Sequence, residues 1–175
     1  MTAKAYPWLT APLPRAPLPR AQLEARIEQL LASQNMGVVA TVGPEGPVAS
    51  PVEYYHHGLT IYFVSNRNAP KLRNMERDPR ISFAVFQPLV GWASARGCQL
   101  FGTATILRPG TPEHAAGMEI YAWQKGATDL GRGFDQPPHL PLIRLEPTRI
   151  VYTEHYLRKD GYAPRQVWRR ETGQP

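Results

Sequence analysis

The sequence has a single cysteine, Cys98, among its 175 residues. One thiol excludes an internal disulfide framework and a cysteine-based zinc site. Such cysteine usage is typical of a reducing compartment, so we expect a cytoplasmic protein. Cys98 lies in an alternating strand pattern, which predicts a small core residue and not a redox centre.

Long apolar runs are also missing. No stretch approaches the length that spans a bilayer, and Met1–Pro7 contains no apolar segment of signal-peptide length. Hydrophobic residues still make up 42% of the chain and charged residues 19%, which is the balance of a globular protein. We therefore expect one folded domain and no membrane partner.

The net charge of +6 is concentrated in two segments, residues 65–80 and residues 158–170, each with five Lys or Arg. Neither segment forms a long cationic run or alternates with aromatic residues, and no nucleic-acid-binding motif accompanies them. The charge pattern therefore predicts a small anionic ligand and no nucleic-acid partner.

Several catalytic and binding signatures are absent. The chain has no Gly-x-Gly-x-x-Gly fingerprint and no regular strand–helix alternation, which excludes a doubly wound dinucleotide fold. No catalytic triad or carboxylate pair is visible, so the catalytic residues are unknown. His56 and His57 are adjacent and would point to opposite faces of a strand, which indicates a hairpin turn and no metal site.

What the chain does contain begins with a proline-rich arm. Residues 11–20 repeat Ala-Pro-Leu-Pro-Arg, so we assign residues 1–20 to an extended arm and residues 21–175 to a single domain. The arm is either a ligand for a proline-binding partner or a segment lying along the domain or a dimer mate. An amphipathic helix from Ala21 to about Ser33 follows it.

From Met36 onward the apolar period is that of strands. The predicted strands are Met36–Val42, Val48–Tyr55, Leu59–Val64, Ile81–Phe86, Gly97–Leu107, Leu142–Glu146 and Arg149–Tyr152. Short helices are predicted at about Ala69–Arg77 and from Thr111 to roughly Gln124. Meandering strands interrupted by short helices predict a mainly β, α+β fold, in which an antiparallel sheet closes into a small barrel.

The most informative segment runs from the end of the third strand into a helix. Asn68 and Pro70 predict the N-cap and first turn of that helix. Free N–H groups at a helix start, with a lysine nearby, suit a phosphate. We therefore predict that Ser65, Asn66 and Lys71 contact a phosphate group. In the predicted strand Val48–Tyr55, Pro51 has no backbone N–H to donate to a neighbouring strand. This predicts a sheet edge or a backbone that faces a ligand.

These residues carry a family resemblance. The run GVVATVGPEGPVASPVEYYHHGLTIYFVSNRNAPKLRNMERDPRISFAVF, followed by GCQLFGTATIL, resembles the pyridoxamine 5′-phosphate oxidase-like, FMN-binding split-barrel proteins. The resemblance covers about Leu23–Leu107 well and Leu142–Trp168 more loosely. It implies an antiparallel six-stranded split β-barrel with an N-terminal helix and short flanking helices. It also implies FMN as the cofactor and a homodimer with FMN at the interface.

The resemblance further implies which residues contact the cofactor. The loop after the third strand would hold the FMN phosphate, and the strand before it would run along the flavin ring. By position, the phosphate residues are Val64, Ser65, Asn66 and Lys71, and the ring residues are Ala49, Ser50, Pro51, Val52, Glu53 and Tyr54. Gln99 and, near the C-terminus, Trp168 are the remaining matches.

The chain also departs from the family pattern. The oxidase proper has basic residues at both ends of the flavin-contacting strand and just before the phosphate-site lysine, where this chain has Ala49, Tyr54 and Pro70. Arg67, Arg73 or a partner subunit would have to supply the missing charge. The oxidase's substrate-binding arginine and histidine motif is not visible, so a true pyridoxamine phosphate oxidase is not expected.

Three functions remain open on the sequence. The first is an FMN-dependent oxidoreductase that passes hydride or electrons between NAD(P)H, or another donor, and a small-molecule substrate. The second is a non-catalytic flavin or haem carrier. The third is a deazaflavin-dependent reductase, which uses a related fold.

Overall fold

A computed structural model of the chain describes residues 7–125 and 137–171. Its helices are α1 (Pro7–Thr10), α2 (Arg20–Ala32), α3 (Pro70–Arg77) and α4 (Pro112–Tyr121), with 3-10 turns at Trp92–Ser94 and His155–Asp160. Its strands are β1 (Met36–Gly43), β2 (Gly46–Glu53), β3 (Tyr55–His57), β4 (Thr60–Val64), β5 (Arg80–Phe86), β6 (Arg96–Leu107), β7 (Leu142–Glu154) and β8 (Arg165–Arg169). Among the described residues, no helix is long and apolar enough to cross a membrane.

The strands form one antiparallel sheet in the order β2-β1-β5-β6-β7-β4-β3, with β8 paired to β7. Strands β2 and β3 lie at opposite edges of this order, yet only Tyr54 separates them in the sequence. The sheet must therefore curl until its two edges meet at Tyr54, which closes a barrel at that end. The predicted antiparallel barrel with flanking helices is confirmed. The sheet has eight strands where six were expected, because Tyr54 separates β3 from β2 and the C-terminal tail adds β8.

Strand β7 is continuous where the sequence predicted two strands. Pro147 lies in its middle, but a bulge accommodates the proline: Phe101 of β6 pairs with Arg149 and Gly102 pairs with Pro147, so Thr148 has no opposite residue. The Thr148 hydroxyl donates to the Phe101 carbonyl at 3.2 Å. A Cβ on Gly102 would lie 2.3 Å from the carbonyl oxygen of Glu146. Glycine is therefore required where the two strands approach at the bulge.

Helix α2 covers one end of the barrel with the apolar face that its spacing predicts. Ile27, Leu30 and Leu31 are fully buried. The Tyr54 hydroxyl donates to the Leu31 carbonyl at 2.8 Å, which joins this helix to the point where the barrel closes. The helix begins and ends one residue earlier than predicted.

A polar network also ties α2 to the barrel. Arg26 donates to both carboxylate oxygens of Glu154, at 3.0 and 2.9 Å. The Tyr152 hydroxyl donates to the same carboxylate at 2.6 Å and accepts from Arg96 Nε at 2.7 Å. Burial, together with the nearby carboxylate, raises the pKa of Tyr152. Since Glu154 has two cationic partners and a hydroxyl, its buried charge is compensated.

The proline-rich arm lies along its own domain in the part of it that the structure describes. Ala16 forms a parallel bridge with Tyr162, and its carbonyl accepts from the Ala163 N–H at 2.8 Å. Leu18 is buried, and its N–H donates to the Gln166 side chain at 3.0 Å. Of the two interpretations of the arm, the structure favours packing against the domain. Residues 1–6 are outside the described residues.

Candidate functional site

The loop between β4 and α3 is a tight turn braced by the start of β7. The Ser65 N–H donates to the Pro141 carbonyl at 3.0 Å, and the Ala69 N–H donates to the Asn66 carbonyl at 3.0 Å. Ser65 is only 1% exposed, and its hydroxyl lies 3.4 Å from the Asn66 carbonyl. Asn66 is exposed, whereas Val64 packs against a buried cluster that includes Tyr62, Leu142 and residues of α4. In this conformation Asn66 faces solvent and Ser65 supports the turn behind it.

Helix α3 starts without a side-chain cap. Its N-cap is Ala69 and Pro70 occupies its first turn. The prediction that Asn68 caps the helix is wrong, because Asn68 lies one residue too early and its carbonyl instead accepts from Arg73 Nη1 at 2.8 Å. In this first turn Pro70 has no N–H, and the Leu72 N–H donates to the Ala69 carbonyl at 3.0 Å. The N–H of Lys71 is therefore the first-turn donor left open to an anion.

Lys71 is the second residue of α3 and is half-buried. Residues three apart share a helix face, so Lys71 lies on the same face as Asn74. Asn74 is buried, and its side-chain amide donates to the Thr41 hydroxyl of β1 at 3.0 Å. Lys71 is therefore directed toward the end of the barrel formed by β1 and β2. Within residues 7–125 and 137–171, no hydrogen bond or ion pair engages its ammonium group.

Strand β2, the predicted flavin-facing strand, is an edge of the sheet. Its residues alternate: Ala49, Pro51 and Glu53 are exposed on the outside, whereas Val52 is buried and Ser50 half-buried on the inside. The prediction that Pro51 marks an edge is confirmed, since the free edge needs no ladder donor there.

The side chain of Tyr54, the last residue of the predicted flavin-facing segment, is turned into the core. It is 2% exposed, bonds to α2 through its hydroxyl and packs edge-on against Phe83 at 5.4 Å between ring centroids. Only the alternate residues Ala49, Pro51 and Glu53 therefore offer side chains to a ligand outside the barrel.

One contact with the predicted flavin-facing strand was not predicted from the sequence: a tyrosine hydroxyl of α4 bonds to a side chain of β2. The Tyr121 hydroxyl of α4 donates to Glu53 Oε2 at 3.1 Å, and its ring packs edge-on against Tyr55 at 5.0 Å. Burial first, and then the neighbouring Glu53, raise the pKa of Tyr121. No sequence pattern pointed to this bond, because periodicity carries no information on a contact between residues this far apart.

Gln99 lies on the outer face of β6 and lines a cavity of about 380 Å³. The floor of this cavity is made of small or apolar residues, and Arg165 of β8 stands at its side. Cys98 also lines it but is 4% exposed, and burial raises the pKa of its thiol to about 12. The prediction of a core cysteine is confirmed. Among the described residues, no cluster of His, Cys, Asp and Glu could hold a metal ion.

Trp168 lies apart from the phosphate loop within one chain. It is 7% exposed on β8, its indole N–H donates to Glu24 Oε1 at 2.6 Å, and the Arg20 guanidinium lies 5.2 Å from its ring. Trp168 pairs with Ile150 of β7, whereas Val64 pairs with Leu142 of the same strand. At about 3.3 Å per residue, β7 separates the two positions by about 25 Å.

The curled antiparallel sheet, its edge strand β2 and the uncapped start of α3 define the class: a split-barrel protein. The family model described as pyridoxamine 5′-phosphate oxidase matches residues 23–154, most of the chain. The protein therefore belongs to the pyridoxamine 5′-phosphate oxidase family.

Three relatives indicate the range of this similarity. General stress protein 26 of Bacillus subtilis is 25% identical over 132 residues, which is 73% of this chain and 86% of that protein. The structure of a heme binding protein from Mycobacterium smegmatis has a TM-score of 0.63 and 26% identity, covering 88% of this chain and 60% of its own. The structure of a FAD-binding protein from Mesorhizobium loti has a TM-score of 0.58 and 19% identity. The match covers 72% of this chain and 90% of that one.

Proposed function

We propose that this protein binds FMN and acts as an oxidoreductase between a donor such as NAD(P)H and a small-molecule substrate. The observation that carries the proposal is Lys71, an ammonium with no partner among the described residues, half-buried at the uncapped start of a helix that packs on β1, the strand paired with the edge strand β2. A half-buried cation without a counter-charge is costly unless a ligand supplies one.

The residues present fit this cofactor. The ammonium and backbone N–H of Lys71 and the exposed Asn66 amide would hold the phosphate. The outward residues Ala49 and Pro51 are small and exposed, which leaves a flat surface along β2 for a planar ring. When bound, FMN would supply the hydride acceptor and donor of the reaction.

Glu53, positioned by Tyr121, would transfer protons in such a reaction. The hydroxyl of Tyr121 fixes one carboxylate oxygen of Glu53 at 3.1 Å, and Glu53 is exposed on the outer face of β2. Its other oxygen is then the atom that would accept or release a proton at the substrate. Tyr121 acts through Glu53 as a positioning residue.

We further propose that the active form is a homodimer with FMN at the interface. The outer sheet face carries Val42, Phe86 and Val167, each at least half exposed, and a second copy lying on this face would cover their apolar side chains. Gln99 and Trp168 belong to the predicted cofactor contacts, yet the length of β7 separates Trp168 from the phosphate loop of its own chain. A second copy would bring the exposed Gln99 to the cofactor, whereas Trp168 is buried in its own chain.

The visible spectrum of the purified protein, before and after incubation with FMN and gel filtration, tests the proposal. We expect flavin bands that remain with the protein and that NADH or NADPH bleaches without oxygen. Lys71→Ala should lower FMN retention about tenfold or more, because a charge-assisted phosphate contact is lost. Lys159→Ala, an exposed lysine on a 3-10 turn, is the matched control. A protein that stays colourless with added FMN would contradict the proposal.

A haem-carrier function is the second candidate. It is supported by the similarity to the Mycobacterium smegmatis heme binding protein, which extends over 88% of this chain. The same spectrum distinguishes the two, since haem gives a Soret band. The deazaflavin alternative stays a prediction from the sequence.

A further inference from the structure

A second cavity lies on a different face of α3 from Lys71. Leu72 and Glu76, four residues apart on one helix face, line it together with Arg67, Arg108 and His139. Its volume is about 340 Å³. Because the face of Lys71 and Asn74 is turned toward β1 instead, this cavity is separate from the flavin site proposed above.

Two guanidinium groups reach this cavity from different elements, and the backbone or a carboxylate orients each of them. Arg67 Nη2 donates to the His139 carbonyl at 3.1 Å. Arg108 Nη2 donates to Glu76 Oε1 at 2.9 Å. Each guanidinium has further N–H donors that these single bonds do not use. With one carboxylate against two arginines, the lining has an excess of positive charge.

The ion pair inside the cavity can be exchanged for a ligand. The side chains of Arg108 and Glu76 are 62% and 40% exposed, and an ion pair this exposed contributes little stability. An anion with several oxygens could therefore take the place of Glu76 on Arg108 and bond to Arg67 as well. Apolar walls from Leu72, Pro109 and Pro141 would hold an organic group.

We propose that this cavity is a second anion site, for a small phosphorylated molecule, and that Arg67 and Arg108 bind its phosphate. At about 340 Å³ the cavity has room for about ten waters of about 30 Å³ each. A bare phosphate would fill only part of that volume, so a larger phosphorylated molecule fits. Glu76 competes with the ligand for Arg108 and so sets the affinity. This inference is independent of flavin binding.

Calorimetric titration with inorganic phosphate, at an ionic strength kept constant with sodium chloride, tests the proposal. We expect saturable binding to the wild-type protein. Arg108→Gln should weaken it about fivefold or more, because a charged donor is lost. Glu76→Gln should strengthen it about threefold or more, because Arg108 is freed from its competitor. Arg77→Gln removes the same charge from the same helix outside the cavity, and it should change the affinity less than about twofold.

Repeating the titrations in a Lys71→Ala background removes phosphate bound at the helix start, so the result does not depend on the flavin proposal. Glu76, Arg77 and Arg108 are exposed and Lys71 is half-buried, and an unchanged thermal midpoint verifies that each variant is folded. Absence of saturable binding, or an affinity that neither Arg108→Gln nor Glu76→Gln changes, would overturn the assignment.

Discussion

On strand β5, Phe83 points into the barrel and is 1% exposed, whereas Phe86 points outward and is 60% exposed. The same contrast extends across the sheet. Phe83 packs against Tyr54 and Phe63, with ring centroids 5.4 and 5.8 Å away. The outer face instead combines small residues with exposed apolar ones, such as Val42 and Val167.

This difference separates the residues that maintain the fold from those available to a ligand or partner. The inner face carries the buried hydrophobic cluster, to which α2 contributes Leu23, Ile27, Leu30 and Leu31. The outer face carries the edge strand β2, Gln99 and a cavity of about 380 Å³. Changes on the two faces should therefore affect different properties: stability on the inside, and cofactor binding and association on the outside.

The largest expected effect is that of Phe83→Ala. Removing a fully buried ring leaves a cavity, and we expect the free energy of unfolding to fall by about 3–5 kcal/mol. Phe86→Ala, on the outer face of the same strand, should change it by about 0.5 kcal/mol or less. Chemical denaturation of the two variants measures both values. Equal losses would mean that the two faces do not differ in this way.

A smaller loss is expected when the inner polar network is broken. Glu154→Ala leaves Arg26 and Arg96 without their carboxylate in a partly buried site, which should cost about 2–3 kcal/mol. Glu171→Ala removes an exposed partner of Arg20 and should cost about 0.5 kcal/mol or less. The thermal midpoint, measured at equal pH and salt, is the readout. A Glu154→Ala protein as stable as Glu171→Ala would exclude a stabilising role for the network.

Because its buried thiol stays protonated in the folded state, Cys98 should make the free energy of unfolding fall at alkaline pH. Burial raises the pKa of its thiol from 9.0 to about 12, so only the unfolded chain loses this proton between those values. The contribution of the protonated thiol to the free energy of unfolding is fully present below about pH 9. It declines as the pH rises toward about 12, by at most about 1.4 kcal/mol per pH unit. Denaturation curves of wild type and Cys98→Ser between pH 8 and 10 should therefore diverge. Parallel pH dependences would contradict the raised pKa.

The smallest effect on stability, with a large effect on association, is expected for Phe86→Glu. A charge at this exposed position leaves the core intact but opposes apolar contact with a second copy. We expect an unchanged thermal midpoint together with dissociation to single chains in light-scattering measurements. A variant that assembles like the wild type would remove Phe86 from the proposed interface.

The fold was largely predictable because its signals are local. Strand alternation located the sheet, and α4 begins at Thr111 as predicted, with the Thr111 hydroxyl accepting from the His114 N–H at 3.2 Å. The helix predicted to reach Gln124 ends at Tyr121, because Ala122 adopts a left-handed conformation with φ of 51°. That single backbone reversal has no marker in the residue types around it.

The candidate site was less predictable because its arrangement depends on distant contacts. The sequence singled out Lys71 and the edge position of Pro51, which are local features of a helix start and a strand. It did not reveal which face of β2 is outside, since a one-residue shift in register exchanges the two faces. The bond between Tyr121 and Glu53 joins residues far apart in the chain, and no spacing rule predicts it.

Sedimentation velocity, detected in the flavin absorption band, tests the central claim that the outer face binds FMN between two copies of the chain. With FMN added, we expect the flavin signal to sediment with a species of two chains, and the Phe86→Glu variant to lose that signal while remaining folded. Flavin that sediments as a free small molecule, or with a single chain, would contradict this account.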